Sequence, residues 1–98
     1  MNIELIHKAL ANPLRRQILV WMKAPREAFA SDNAEFACGV PVSAIRQRSG
    51  LAQSTVSAHI ALLVEAGLLR PTRVGQWSFL TRDERLIRAF AKHLYLHL

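Results

Sequence analysis

In GLAQSTVSAHIALLVEAG, residues 50 to 67, the apolar residues Val56, Ile60, Leu63 and Gly67 fall at i, i+4, i+7 and i+11. That spacing draws one apolar stripe down one face of a helix. Gly50-Leu51 supplies a turn, a helix runs from about Gln53 to Ala66, and Gly67 stops it. The opposite side begins Gln53, Ser54, Thr55, Ser57, Ala58 and His59. A helix solvated for its own sake more often carries Lys and Glu there. Short, mostly uncharged hydrogen-bonding groups suit a surface that closely approaches base edges. The stretch reads as the second half of a helix-turn-helix.

Working towards the N-terminus, Ser43 is a candidate cap for a helix from Ala44 to Ser49, with Ile45 inward and Arg46 and Arg48 outward. Val40-Pro41-Val42 is extended, because Pro disfavours helix at the residue before it. Residues 24 to 39, APREAFASDNAEFACG, read as a loop with room for one helical turn, whose Phe29 and Phe36 tuck onto the core. Before it, Asn12 caps and Pro13 opens a helix to Lys23 that buries Leu14, Ile18, Trp21 and Met22 and exposes Arg15, Arg16 and Gln17. Asn2 caps a first amphipathic helix to Leu10, with Ile3, Ile6 and Leu10 at helical spacing.

Towards the C-terminus the period changes to two. Leu68 to Arg73 and Gln76 to Thr81 read as strands joined at Val74-Gly75, with Pro71 marking an edge and Trp77 and Phe79 sharing a face. Thr81-Arg82-Asp83-Glu84 has the form of a capping box that opens a last helix, about residues 83 to 96. Its stripe of Ile87, Phe90, Leu94 and Leu98, widened by Leu86 and Tyr95, is more apolar surface than an edge helix shows to water. A second copy of the chain would cover it.

The bulk numbers point the same way. Ninety-eight residues, half of them apolar, suit one folded domain with a modest core. Thirteen Lys and Arg stand against seven Asp and Glu, and ten of the thirteen are Arg. That balance favours a polyanion, nucleic acid before membrane. No apolar run is long enough to cross a membrane, and no signal peptide is evident at the N-terminus. The single Cys38 has no internal partner for a disulfide, which fits a reducing cytoplasm.

Three collinear stretches carry a resemblance to the ArsR/SmtB family of bacterial transcriptional repressors. KALANPLRRQIL, residues 8 to 19, is similar to that family's opening helices. GLAQSTVSAHIALLVEAGLL, residues 50 to 69, resembles its recognition helix and following turn, and RVGQWSFL, residues 73 to 80, its wing. The resemblance implies a mainly α winged helix-turn-helix over residues 1 to 98. Its helix-turn-helix is at about 43 to 66, with a two-stranded β-wing at 68 to 81. It also implies a homodimer joined through first and last helices (2 to 10 and 83 to 96), a palindromic double-stranded DNA operator, a nucleoid location and repression relieved by a signal. Two positions depart from the family pattern. Ala52 stands at the cap, usually Ser, and Ala58 stands where a long basic or polar residue is common.

On this reading Gln53, Ser54, Thr55, Ser57 and His59 contact bases or adjacent phosphates, with Thr55 and His59 on the flank of the buried stripe. Arg73 and Gln76 of the wing reach the minor groove or backbone, and Arg46, Arg48, Arg15 and Arg16 are candidates for phosphates. A solvated charge is the plain alternative for each Arg. Ile3, Ile6, Leu10, Ile87, Phe90 and Leu94 are the candidate dimer contacts.

The family's thiolate metal site is not reproduced, since only Cys38 is present. Cys38 is an ordinary cysteine or a redox-sensing thiol. His93 and His97, at i and i+4, could share a zinc ion across a dimer, or could complement the helix C-terminal dipole. No resident cofactor is expected. Nothing suggests an enzyme: Ser54, Ser57 and His59 have no acidic partner, and a convex helix has no pocket. The rival functions are a nonspecific architectural DNA-binding protein, a thiol-responsive regulator through Cys38, and a protein-interaction module.

Overall fold

The computed structural model describes residues 1–29, 36 and 38–98. Among the described residues six helices and three strands follow one another: α1 (Ile3–Leu10), α2 (Pro13–Trp21), α3 (Pro25–Ala28), β1 (Val40–Pro41), α4 (Val42–Ser49), α5 (Gln53–Glu65), β2 (Leu69–Val74), β3 (Trp77–Arg82) and α6 (Glu84–His97). The chain is mainly helical, with a β-wing between α5 and α6.

The first two helices begin where the asparagines place them. Asn2 Oδ1 accepts from the Leu5 N–H at 3.1 Å. Asn12 Oδ1 accepts from Leu14 N–H at 2.8 Å and Arg15 N–H at 3.2 Å, with Pro13 at the first helical position. Each cap satisfies donors that the helix itself leaves free. α2 ends at Trp21 rather than Lys23, the chain turning through Met22 and Lys23 before Pro25 opens the short α3. Phe29 is buried and Phe36 half-buried against the core, as expected, and Phe29 lies edge-on to Trp21 and tilted against Phe36. Residues 30–35 and 37 of the expected loop lie outside the described residues.

α4 starts at Val42, earlier than Ser43 as a cap would allow: Pro41 holds the cap position, and no side chain caps this helix. Gly50 ends it with φ of +69°, a left-handed geometry that glycine adopts without strain. α5 buries Val56, Ile60 and Leu63, the expected stripe. Each such side chain contributes about 1.5–3 kcal/mol of apolar burial. At its far end Gly67 N–H donates to Val64 C=O at 2.9 Å and Leu68 N–H to Leu63 C=O at 3.0 Å. This is a Schellman ending, with Gly67 at φ +83° and the apolar pair Leu63 and Leu68 closing over it.

Two expectations are corrected in the wing. The sheet has three strands, not two, in the order β1-β3-β2. Val40 pairs with Leu80 and Pro41 with Phe79, so the segment read only as extended completes the sheet. The hairpin itself is shifted by one residue: Val74 faces Trp77 across a two-residue turn of Gly75 and Gln76, and the pairing continues to Leu69 opposite Arg82. Pro71 does lie on an edge strand. That longer pairing changes the start of α6. Thr81 and Arg82 are drawn into β3, so the capping box does not form. Asp83 caps instead, its Oδ1 accepting from Leu86 N–H at 3.0 Å.

The core gathers where α5 meets α1, α2, α4 and β2. Ile6, Ile18, Ile45, Leu63, Leu68, Leu69, Leu80 and Val56 are its largest fully buried side chains. Ile6 and Phe90, named as candidate dimer contacts, belong to this core, at 0% and 6% exposed. Their periodicity was that of the buried stripe, which pattern alone does not separate from an interface. Ile3, Leu10, Ile87 and Leu94 are half-buried against the core. Of the fourteen residues of α6 only Phe90 is buried, and Tyr95, Leu96 and Leu98 stand 88%, 63% and 97% exposed.

Candidate nucleic-acid interface

The turn between α4 and α5 is held from within. Ser49 Oγ donates to Arg46 C=O at 2.9 Å and accepts from Leu51 N–H at 3.3 Å. The chain then enters α5 at Ala52, whose backbone has extended geometry but whose side chain offers no cap. The first-turn N–H groups of α5 therefore have no side-chain acceptor, and their dipole end favours an anion. Gln53, Ser54, Thr55, Ser57 and Ala58 are all exposed around this end. Their buried counterpart, the Val56–Ile60–Leu63 stripe, fixes the rotation of the helix and so keeps them outward. The result is a projecting helix end lined with short uncharged donors and acceptors.

His59 is placed differently. It is half-buried, and its Nδ1 lies 3.1 Å from Nη1 of Arg15 on α2. Arg15 in turn donates from Nε to Ala9 C=O at 2.6 Å and from Nη2 to Lys8 C=O at 3.1 Å. Arg16 donates from Nη1 to Leu10 C=O at 2.6 Å. Both guanidiniums thus satisfy carbonyls at the C-terminal end of α1, where a cation is favoured, rather than standing free for phosphates. The sequence expectation for Arg15 and Arg16 missed this because the acceptors are backbone atoms, which carry no residue signature.

The remaining basic residues divide. Arg46 is exposed beside the turn. Arg48 is exposed, with its guanidinium 4.9 Å from the centre of the Trp21 ring, a cation–π contact that steadies it on the body of the domain. Arg73 is exposed on β2 opposite Ser78, and Gln76 is exposed in the hairpin turn. Trp77, read from sequence as a face-mate of Phe79, is 64% exposed at the wing tip, whereas Phe79 is half-buried. Arg70 pairs with Asp83 at 3.0 Å, and Arg82 donates to Glu84 at 2.6 Å and to Leu19 C=O at 2.8 Å. These last two brace the wing and α2 against the start of α6. The carboxyl of Asp83 lies below the usual carboxylate range, first because Leu86 N–H donates to it and then because the Arg70 guanidinium is beside it.

The candidate sensor residues do not converge. Cys38 is an exposed free thiol next to β1. His93 and His97 stack on each other at the end of α6, their ring centres 4.5 Å apart. Among the described residues no group of three or more His, Cys, Asp or Glu could hold a metal ion. No described helix is long and apolar enough to cross a membrane.

The chain is similar to known proteins in sequence and in fold. The "Uncharacterized HTH-type transcriptional regulator YbzH" of Bacillus subtilis (strain 168) is 37% identical over 91 residues, 91% of this chain and 91% of its own length. HlyU from Vibrio cholerae N16961 superposes with a TM-score of 0.66 at 26% identity, over 94% of this chain and 86% of that one. The crystal structure of an ArsR family transcriptional regulator superposes with a TM-score of 0.73 at 20% identity, over 95% of this chain and 82% of its own, a likeness of fold. No family model matches the chain.

Proposed function

We propose that this chain, which belongs to the HTH-type transcriptional regulators, acts as a DNA-binding homodimeric repressor of the ArsR type on a palindromic operator. The observation that carries this reading is the exposed first turn of α5, with Gln53, Ser54, Thr55 and Ser57 around an uncapped helix end. These residues enter the major groove and read base edges, while the free N–H groups and Arg46 take phosphates. Arg73 and Gln76 at the wing tip follow the backbone into the neighbouring minor groove, with the exposed Trp77 beside them. A net charge of +6 per chain drives the encounter.

Dimerisation rests on α6. A fourteen-residue helix with one buried side chain and exposed Tyr95, Leu96 and Leu98 is only half accounted for by its own chain. A second copy packed along α6 and the half-buried Ile3 and Leu10 of α1 places two α5 helices in successive major grooves, about one helical turn apart. A cytoplasmic, nucleoid-associated location follows from that role.

The thiolate metal site of the family does not fit this chain. Cys38 is its one thiol, and His93 and His97 lie beside each other at the end of α6. We read the protein as having no resident cofactor. The exposed Cys38 supports one alternative signal, oxidation of the thiol. The test is a footprint on the DNA upstream of its own coding region, with and without excess random DNA. A protected site with two-fold symmetry that resists competition is expected. A smear that random DNA abolishes would favour the nonspecific architectural reading.

A further inference from the structure

One guanidinium joins three helices. Arg15, on α2, donates to the last carbonyls of α1 through Nε and Nη2, and its Nη1 reaches Nδ1 of His59 on α5. A guanidinium has donors only, so His59 Nδ1 must accept, and the single proton of the neutral ring sits on Nε2. Nε2 has no hydrogen-bond partner among the described residues, and it is not a buried unpaired atom, so it reaches the surface of α5. His59 lies one turn beyond Thr55 and next to the exposed Ala58, on the flank of the polar helix end.

We propose that Arg15 is a positioning residue for DNA recognition: it fixes His59 with Nε2–H outward, as a neutral donor to an acceptor oxygen or nitrogen of DNA. The proposal rests on the DNA-reading role of α5 and deepens it. Arg15 reaches DNA through His59 and makes no phosphate contact of its own. The same guanidinium ties the angle of α5 to the end of α1, so the reader and the first helix move as one piece.

The test has two readouts on the full-length chain. In nitrogen-15 NMR of the free protein at about pH 8, where an ordinary imidazole is neutral, His59 should show an accepting Nδ1 and a protonated Nε2. The Arg15 side-chain N–H groups should exchange slowly beside those of the exposed Arg46. A protonated Nδ1, or Arg15 exchanging as fast as Arg46, overturns the proposal. The second readout is affinity for the footprinted site across a salt series. Arg15→Gln and His59→Leu should each weaken binding about tenfold, the scale of one charge-assisted hydrogen bond. The double variant should lose little more than either alone. The salt slope of Arg15→Gln should equal that of wild type, whereas loss of a phosphate contact would lower it by about 1. Additive losses or a lowered slope overturn the proposal. Arg15→Lys, which keeps the charge, gives the same cycle if Arg15→Gln does not fold. DNA with methylphosphonate or 7-deazapurine substitutions then tells a phosphate acceptor from a base acceptor. Wild type that binds no site selectively would instead overturn the regulator reading itself, an outcome distinct from selective binding with uncoupled variants.

Discussion

Gly39 runs so close to Leu80 that a Cβ built on it would stand 2.6 Å from the Leu80 carbonyl oxygen. Its φ of +110° also lies where side chains bring strain. This contact sits beside the two-residue β1, which ties the start of α4 to the wing. Gly39→Ala should therefore destabilise the protein by about 1–3 kcal/mol, read as a lower urea midpoint at unchanged slope. Gly75→Ala, at φ +60° but with nothing within 4 Å of its Cβ, carries the backbone strain without the clash, so Gly39→Ala should lose more than it does. A midpoint equal to wild type in Gly39→Ala would remove β1 as a brace of the wing.

Acid should loosen α6 at its first turn. Asp83 accepts from Leu86 N–H and pairs with Arg70, and its carboxyl lies below the usual range for these reasons. A depressed folded value gives stability that is fully present above the unfolded value, about 3.9, and is lost as pH falls through the folded one. Wild type should lose thermal stability below about pH 4, and Asp83→Asn, which keeps a capping oxygen, should lose less over the same range. Equal pH profiles for the two proteins would contradict this.

Ala52 leaves the entry to α5 without a side-chain cap, although its extended backbone is the geometry a cap needs. Ala52→Ser should raise stability by about 1 kcal/mol, measured by thermal unfolding. A destabilised Ala52→Ser would mean that the first turn of α5 is not placed as described.

Self-association should depend on the exposed end of α6. Tyr95→Asp with Leu98→Asp leaves Phe90 and the half-buried Leu94 in place and adds charge to side chains that are 88% and 97% exposed. Sedimentation should show a dimer for wild type and a folded monomer for the variant, with site-specific DNA affinity falling together with the dimer. A wild type that is monomeric at micromolar concentration would contradict the proposed assembly.

Much of this architecture is written locally. The Val56–Ile60–Leu63 stripe, the asparagine caps at Asn2 and Asn12, and the glycine stops at Gly50 and Gly67 each depend on residues within one or two turns. What escaped depends on distant partners. A capping box at Thr81 was legible, but pairing of Thr81 with Arg70 and of Arg82 with Leu69 outcompetes it, and Asp83 takes the role. β1 is too short for any periodicity, and exists because Leu80 and Phe79 face it. Arg15 looked like a surface charge because its acceptors are two carbonyls and a histidine 44 residues away. Ile6 and Phe90 share the spacing of interface residues but serve the core of their own chain.

The claim that α5 is a sequence reader on a two-fold dimer is tested most directly by selection from a pool of random double-stranded DNA with the purified protein. The account predicts enrichment of an inverted repeat whose half-site centres lie about one helical turn apart, with Gln53→Ala relaxing the choice of base within each half. Recovery of unenriched DNA, bound no more tightly than the starting pool at the same salt, would contradict it.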